Sequence, residues 1–313
     1  MQGKNSDGGN ENRKTYGRHK MRQSLFFIPP TIAIILGHFL VINESIEKIN
    51  IATTPFLFLS LFIIGAGYFI KEKTKHVMLC YGWMLFAIYW ATQPEILYYK
   101  GEGDIVNALF CIAGVYFLSY ISYHEWLSYK KEENLASLNF LAGATFVAGL
   151  LYFIFEKVDF LAGLLIKIVA EQTASIMNFF GYNVTTGNVI YGINTVVPIY
   201  FNGHESVQLI LACTGLQSMA VFVGVFGAVN SDYIKRIKGL LITVITIYIL
   251  NLIRNAGVIY GMEILGIDFY IMHNVIGKIG SLIALIVLAF ITFEMVPEIY
   301  NNISALFDLT KRK

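Results

Sequence analysis

The sequence predicts an all-α membrane fold, a polytopic bundle of about eight transmembrane helices with a small helix/hairpin cap on its extracytoplasmic side. Three observations predict it. The 313 residues are 56% hydrophobic and 14% charged, with mean hydropathy +0.60, which is more apolar surface than one soluble core buries. The apolar residues gather in runs close to the roughly 20 residues that cross a bilayer. The basic residues gather in short clusters between those runs, on alternate sides. A net charge of +2, evenly spread, gives no reason to expect a nucleic-acid partner.

Residues 1–24, rich in Asn, Gly, Lys and Arg, read as a flexible basic cytoplasmic tail. The apolar run behind it is too long for a signal peptide, and no small-residue cleavage site follows. Residues 25–313 read as one transmembrane domain. Its spans are expected near 25–43, 52–70, 77–98, 105–123, 135–155, 207–229, 239–262 and 273–296. The third is interrupted at Gln93-Pro94-Glu95, where proline removes a helix donor and crowds the preceding turn.

Charge placement tests this count. With a cytoplasmic amino terminus, the inner segments hold seventeen Lys/Arg: six in 1–24, three in 71–76, two in 124–134, three in 230–238 and three in 311–313. The outer segments hold four, Lys48, Lys100, Lys157 and Lys167. That bias puts both termini in the cytoplasm of a multi-pass cell-membrane protein. Tyr98, Tyr99, Tyr120, Trp126 and Tyr129 sit near span ends and read as an interfacial aromatic belt.

The long outer connection is 156–206. From Phe160 to Phe180, Leu161, Leu164, Leu165, Ile168 and Ile176 recur at helical spacing opposite Lys167, Glu171, Ser175 and Asn178, which suits a helix lying on the outer leaflet. From Asn183 to Tyr200, β-branched and aromatic residues alternate with Gly187, Gly192 and Asn194, the pattern of a short hairpin or extended loop. Such a segment either caps a site or packs on the helix ends. Asn183-Val184-Thr185 is a glycosylation sequon, a triplet that also arises by chance.

Ionisable groups inside spans cost about 2.5–3.5 kcal/mol each at a helix centre, so each needs a reason. Arg254 is expected roughly 12 Å below the outer end of the seventh span, and Cys213 roughly 9 Å below that of the sixth. His273 opens the eighth span on the same side. The thiol, guanidinium and imidazole thus share one depth. Cys80 and Cys111 lie in apolar runs, and three cysteines build no disulfide framework. A buried cysteine is often a small apolar filler, and an arginine can snorkel. As a set, however, the three groups suit nucleophilic chemistry. A cation favours the reactive thiolate or an oxyanion, and an imidazole carries the proton. Gly215 and Thr214 let a substrate backbone approach the sulfur. Gln217 could bond Gln208 or a substrate backbone or serve interhelical packing, Asn255 adds a polar group for a substrate, and Asp268 could hold the imidazole in one tautomer or simply be hydrated. His204 and Glu205 could orient a substrate or be solvated.

Ala212-Cys213-Thr214-Gly215-Leu216-Gln217-Ser218, then Arg254-Asn255, then His273 resembles the archaeosortase branch of the archaeosortase/exosortase family. The resemblance implies a sortase-like cysteine transpeptidase on a membrane fold, with Cys213 as nucleophile, Arg254 as essential arginine and His273 as third catalytic position. It further implies protein substrates with a carboxy-terminal tripartite signal (a motif, a transmembrane stretch and a basic cluster), a membrane lipid acceptor, and an active site facing outside. No metal or other cofactor is expected. The sequence shows no His-Glu-x-x-His, no paired intramembrane aspartates and no Asp-His-His-Cys. The competing readings are a transporter of a small polar solute and a non-sortase intramembrane protease or acyltransferase. Transporters usually place polar sites near the midplane of repeated halves, and no internal repeat is visible.

Overall fold

A computed structural model describes residues 26–100, 105–192 and 194–312. The basic tail expected at 1–24 and Lys313 of the last basic cluster lie outside the described residues. The chain is a helical membrane protein that divides into two compact units, one formed by Met1–Ala142 with Ala305–Lys313 and the other by Gly143–Ser304.

The first unit contains α1 (Ile28–Asn43), α2 (Ile46–Phe69), α3 (Thr74–Trp90) and α4 (Ile105–Lys131). Helix α3 stops at Trp90. Pro94 follows within a three-residue turn, Gln93–Glu95, and a π-helical segment, Ile96–Lys100. The break expected at Gln93-Pro94-Glu95 is therefore present. One end of this unit is polar inside. His76 Nδ1 lies 2.6 Å from Glu125 Oε2, both side chains being buried, and Lys75 Nζ donates to Asn134 Oδ1 at 2.7 Å. The Arg312 guanidinium donates to Glu133, to Ser128 Oγ and to the His124 carbonyl, which fastens the end of the chain to α4.

Helix α5 (Ala136–Lys157) runs from the first unit into the second. The second unit continues with α6 (Asp159–Phe179) and strands β1 (Val184–Thr186), β2 (Val197–Phe201) and β3 (His204–Leu209). A 3₁₀ turn, Leu211–Thr214, leads to α7 (Leu216–Ala228) and α8 (Tyr233–Glu263). A π-helical segment, Tyr270–Gly277, opens α9 (Lys278–Met295), and α10 (Pro297–Phe307) follows. The strands form an antiparallel sheet in the order β1-β2-β3. Its core is a stripe of small residues on α6, Ala162, Ala170 and Ala174 with Ile166 and Met177, packed on Val197, Ile199 and Phe201 of β2 and Leu209 of β3. Small residues let the sheet approach the helix backbone closely, and the branched strand residues fill the space. Asn178 fixes where the sheet begins, donating from Nδ2 to the Val184 carbonyl at 2.9 Å while Oδ1 accepts from the Val184 N–H at 2.8 Å. At mid-helix, Lys167 donates to Thr186 Oγ1 and to the Gly187 carbonyl.

Several sequence expectations change here. Eight spans were expected; among the described residues five helices are long and apolar enough to cross a membrane by length and composition, and α1 and α7 are shorter apolar helices. The helix expected at 160–180 is α6, and it too is long and apolar enough to cross. It lies along the sheet, with its central lysine spent on sheet oxygens. The sixth span expected at 207–229 becomes a strand, a turn and the 13-residue α7. The cause is local. Asn202-Gly203 adopts left-handed φ values of 48° and 88° between β2 and β3, the two-residue turn whose twist suits a tight hairpin, so 204–209 pairs as a strand.

Candidate active site

Cys213 lies in the 3₁₀ turn between β3 and α7, 7% exposed and packed into the core of the second unit. The turn is closed on itself. The Cys213 N–H donates to the Ile210 carbonyl at 2.9 Å, and Thr214 Oγ1 donates to the Leu211 carbonyl at 2.7 Å. Gly215 then takes φ +75°, the left-handed conformation that L side chains avoid, and the chain turns sharply into α7. A Cβ at Gly215 would also stand 3.2 Å from Asn251 Cγ, a crowded contact that adds to the backbone constraint.

Helix α8 grips this turn from the side. Asn251 Nδ2 donates to the Cys213 carbonyl at 2.6 Å, and Asn255 Nδ2, one helical turn on, donates to the same oxygen at 2.9 Å. Residues four apart on a helix share a face, so the pair clamps both lone pairs of one carbonyl. Arg254 stands beside them. Its Nε is buried and has no hydrogen-bond partner among the described residues. A Cβ at Gly277 would lie 3.2 Å from that nitrogen, so the guanidinium rests against the turn that carries His273.

His273 belongs to the π-helical segment Tyr270–Gly277, a wider turn than an α-helix and one often associated with functional sites. Its ring stacks on Phe269, centroids 5.1 Å apart and planes 11° apart. Gly277, against which the Arg254 guanidinium rests, ends the π-helical segment that carries His273. Asp268, read from the sequence either as a holder of the imidazole or as a hydrated loop residue, accepts from the Tyr270 N–H at 2.8 Å and is exposed.

Two cavities border α8 here, both within the second unit. The smaller, about 100 Å³, is lined by Cys213, His273, Asn255, Phe269 and residues 207–210. The larger, about 300 Å³ and mostly apolar, lies between α8 and α9 and is lined by Gly215, Asn251, Arg254 and Gly277 among others. Val258 borders both. The thiol and imidazole thus share one cavity, and the guanidinium lines its neighbour, where a single cavity was expected for all three. Thr214 is buried behind the turn, and Gln217 is exposed on α7 and lines neither cavity. Sequence reasoning missed Asn251 as a partner of the Cys213 carbonyl and missed β3 as a wall of the site. The Asn251/Asn255 spacing and the Asn202-Gly203 dipeptide are the signals that carry them.

A buried thiol, an imidazole in the same cavity, and a guanidinium with an unspent donor on the neighbouring cavity are a set suited to acyl transfer. The thiol attacks, the imidazole moves the proton, and the cation offsets developing negative charge.

The chain matches the family model described as transmembrane exosortase (Exosortase_EpsH) over residues 51–290. It is 27% identical over 268 residues to archaeosortase A of Haloferax volcanii, covering 74% of this chain and 84% of that protein. It is 23% identical over 247 residues to archaeosortase A of Natronomonas pharaonis, covering 70% of this chain and 75% of that one. No solved structure matches the chain.

Proposed function

The chain belongs to the transmembrane exosortase family, and from that premise we propose that it is a membrane-embedded cysteine transpeptidase acting on surface proteins with carboxy-terminal tripartite signals. Its relatives make it a member of a family of membrane sortase-like transpeptidases. Within that family the assignment of roles rests chiefly on one observation, the shared cavity of Cys213 and His273.

In the proposed reaction the signal motif enters that cavity from the extracytoplasmic side, beneath the 156–206 segment, while the substrate's own membrane segment packs laterally against the bundle. His273 takes the Cys213 proton as Sγ attacks the scissile carbonyl. The tetrahedral oxyanion is offset by the positive charge of Arg254, whose buried Nε–H has no other acceptor among the described residues. The C–N bond breaks, the amine of the released tail leaves with the proton held by His273, and a thioester remains on Cys213. A hydroxyl or amine of a membrane lipid then gives its proton to His273, attacks the thioester and leaves as the acylated lipid, returning the proton to the thiolate. Asn251 and Asn255 hold the nucleophile's backbone and take no part in proton transfer.

The test is co-expression with candidate tripartite-tail proteins from the same genome. A mobility shift should occur with the native chain and vanish in Cys213→Ala, with membrane insertion of the variant unchanged. Processing that persists in Cys213→Ala overturns the assignment.

A further inference from the structure

The hairpin leading into the catalytic turn has an edge free of strand pairing among the described residues, because β2 lies between β1 and β3, and α8 is what stands on the far side of β3. Which backbone groups of β3 are spent follows from Pro198. It stands opposite Gln208, it has no N–H, and its carbonyl accepts from the Gly187 N–H at 2.8 Å on the β1 side. Antiparallel partners alternate between exchanging both hydrogen bonds and exchanging none. Val197 with Leu209 and Ile199 with Val207 therefore exchange bonds, and Gln208 turns its N–H and C=O away from β2 onto the open edge.

That edge borders the cavity of Cys213 and His273. Residues 207, 208, 209 and 210 all line it. Successive strand side chains point to opposite faces, so Val207, Gln208 and Leu209 together border one cavity along the strand's edge, with Ile210 just beyond its end. Across the gap stand Asn255, Val258 and Ile259 of α8 with His273. The Gln208 side chain is already committed, donating to Glu205 Oε1 at 2.7 Å, so what this position offers a ligand is its backbone.

We propose that the peptide substrate binds as an added strand, pairing its backbone with the open edge of β3 at Gln208, so that the strand itself leads the scissile carbonyl to Cys213. The proposal rests on the cysteine peptidase reading and adds to it the recognised form, an extended peptide read first through its main chain. Edge pairing gives register without demanding particular side chains at every position. The short hop from Leu209 to Cys213 converts that register into placement of one carbonyl.

The test uses the purified full chain in nanodiscs and acetyl-tetra-alanyl chloromethyl ketone, a probe with peptide backbone and no side-chain motif. Cys213 displaces chloride to form a thioether, and the alkylation rate is read by mass spectrometry. The tetra-alanyl probe should react faster than chloroacetone, which carries the same chloromethyl ketone without a peptide backbone, by roughly tenfold or more, the worth of one or two backbone hydrogen bonds. Single N-methyl groups moved along the probe should slow it at alternate positions only. Gln208→Pro, which removes the edge donor and leaves the β2 ladder intact, should lose most of the enhancement, and Gln208→Ala should keep it. Should Gln208→Pro fail to fold, the N-methyl series on the native chain decides alone. Rates indifferent to N-methyl position, or unchanged in a folded Gln208→Pro, overturn the proposal. If tail processing depends on Cys213 but the alternation is absent, only the edge proposal fails; if the alternation holds while Cys213→Ala still processes tails, only the enzymatic reading fails.

Discussion

At the scale of single residues, the site is organised around a carbonyl as much as around a thiol. The Cys213 oxygen receives two side-chain amides, and each typically contributes about 1 kcal/mol net while costing more if its partner is left buried and unpaired. Asn251→Leu or Asn255→Leu alone should therefore slow processing by about tenfold through the turnover rate, with substrate half-saturation little changed. The double variant should fall by more than the product, since it orphans the carbonyl. The measurement is steady-state processing in membranes normalised to inserted protein, and a double variant no slower than either single one would contradict the clamp. The sequence singles out Cys213, Arg254 and His273 as ionisable groups in or near spans, and the fold sets Cys213 and His273 on one cavity and Arg254 on its neighbour. Asn251 was not legible there, because an asparagine four residues before another reads as generic helix packing until the fold brings a carbonyl to both. Asp268 accepts from the Tyr270 N–H, where the π-helical segment begins, a local bond that charge and position in the sequence do not reveal.

At the scale of elements, the long apolar helices were legible because runs near 20 residues have few alternatives in a membrane chain. The stretch from His204 to Gln217 was not, since Val207, Leu209, Ile210, Leu211 and Leu216 satisfy a helical pattern as readily as a strand followed by a turn. Backbone conformation decides between them. Asn202-Gly203 and Gly215 occupy left-handed positions that bracket the segment and prevent one continuous helix. Gly203, at φ +88° with open space where a Cβ would sit, isolates the conformational cost from crowding. Gly203→Val should lower the thermal midpoint by an amount corresponding to about 1–2 kcal/mol and reduce processing, because β3 is the strand that delivers the catalytic turn. Gly203→Asn should be close to neutral, since asparagine tolerates this region. Equal losses in the two variants would contradict a conformational origin.

At the scale of the whole molecule, the proposed chemistry resides in the second unit, and the first contributes α1–α4 with a polar, basic end fastened by Arg312. The distribution of Lys and Arg, seventeen against four, leads us to propose that this end is cytoplasmic and that the sheet and Cys213 face outside. In a background with Cys80 and Cys111 replaced by serine and Cys213 by alanine, Glu205→Cys should react with a membrane-impermeant maleimide on intact cells. Lys311→Cys should react only after lysis, and the reverse pattern would invert the topology. The span count was the least legible property at this scale, because the run expected to cross at 207–229 yields only the short α7, while α6, expected to lie on the leaflet, is long enough to cross.

The central claim, that Cys213 forms a covalent bond to the substrate's acyl group, is tested most directly by intact-protein mass spectrometry of the chain trapped during turnover of a processed tail protein. An adduct with the mass of the amino-terminal fragment, located to Cys213 and discharged by hydroxylamine, is the predicted result. Continued processing with no hydroxylamine-labile adduct, or with Cys213 replaced by alanine, would contradict it.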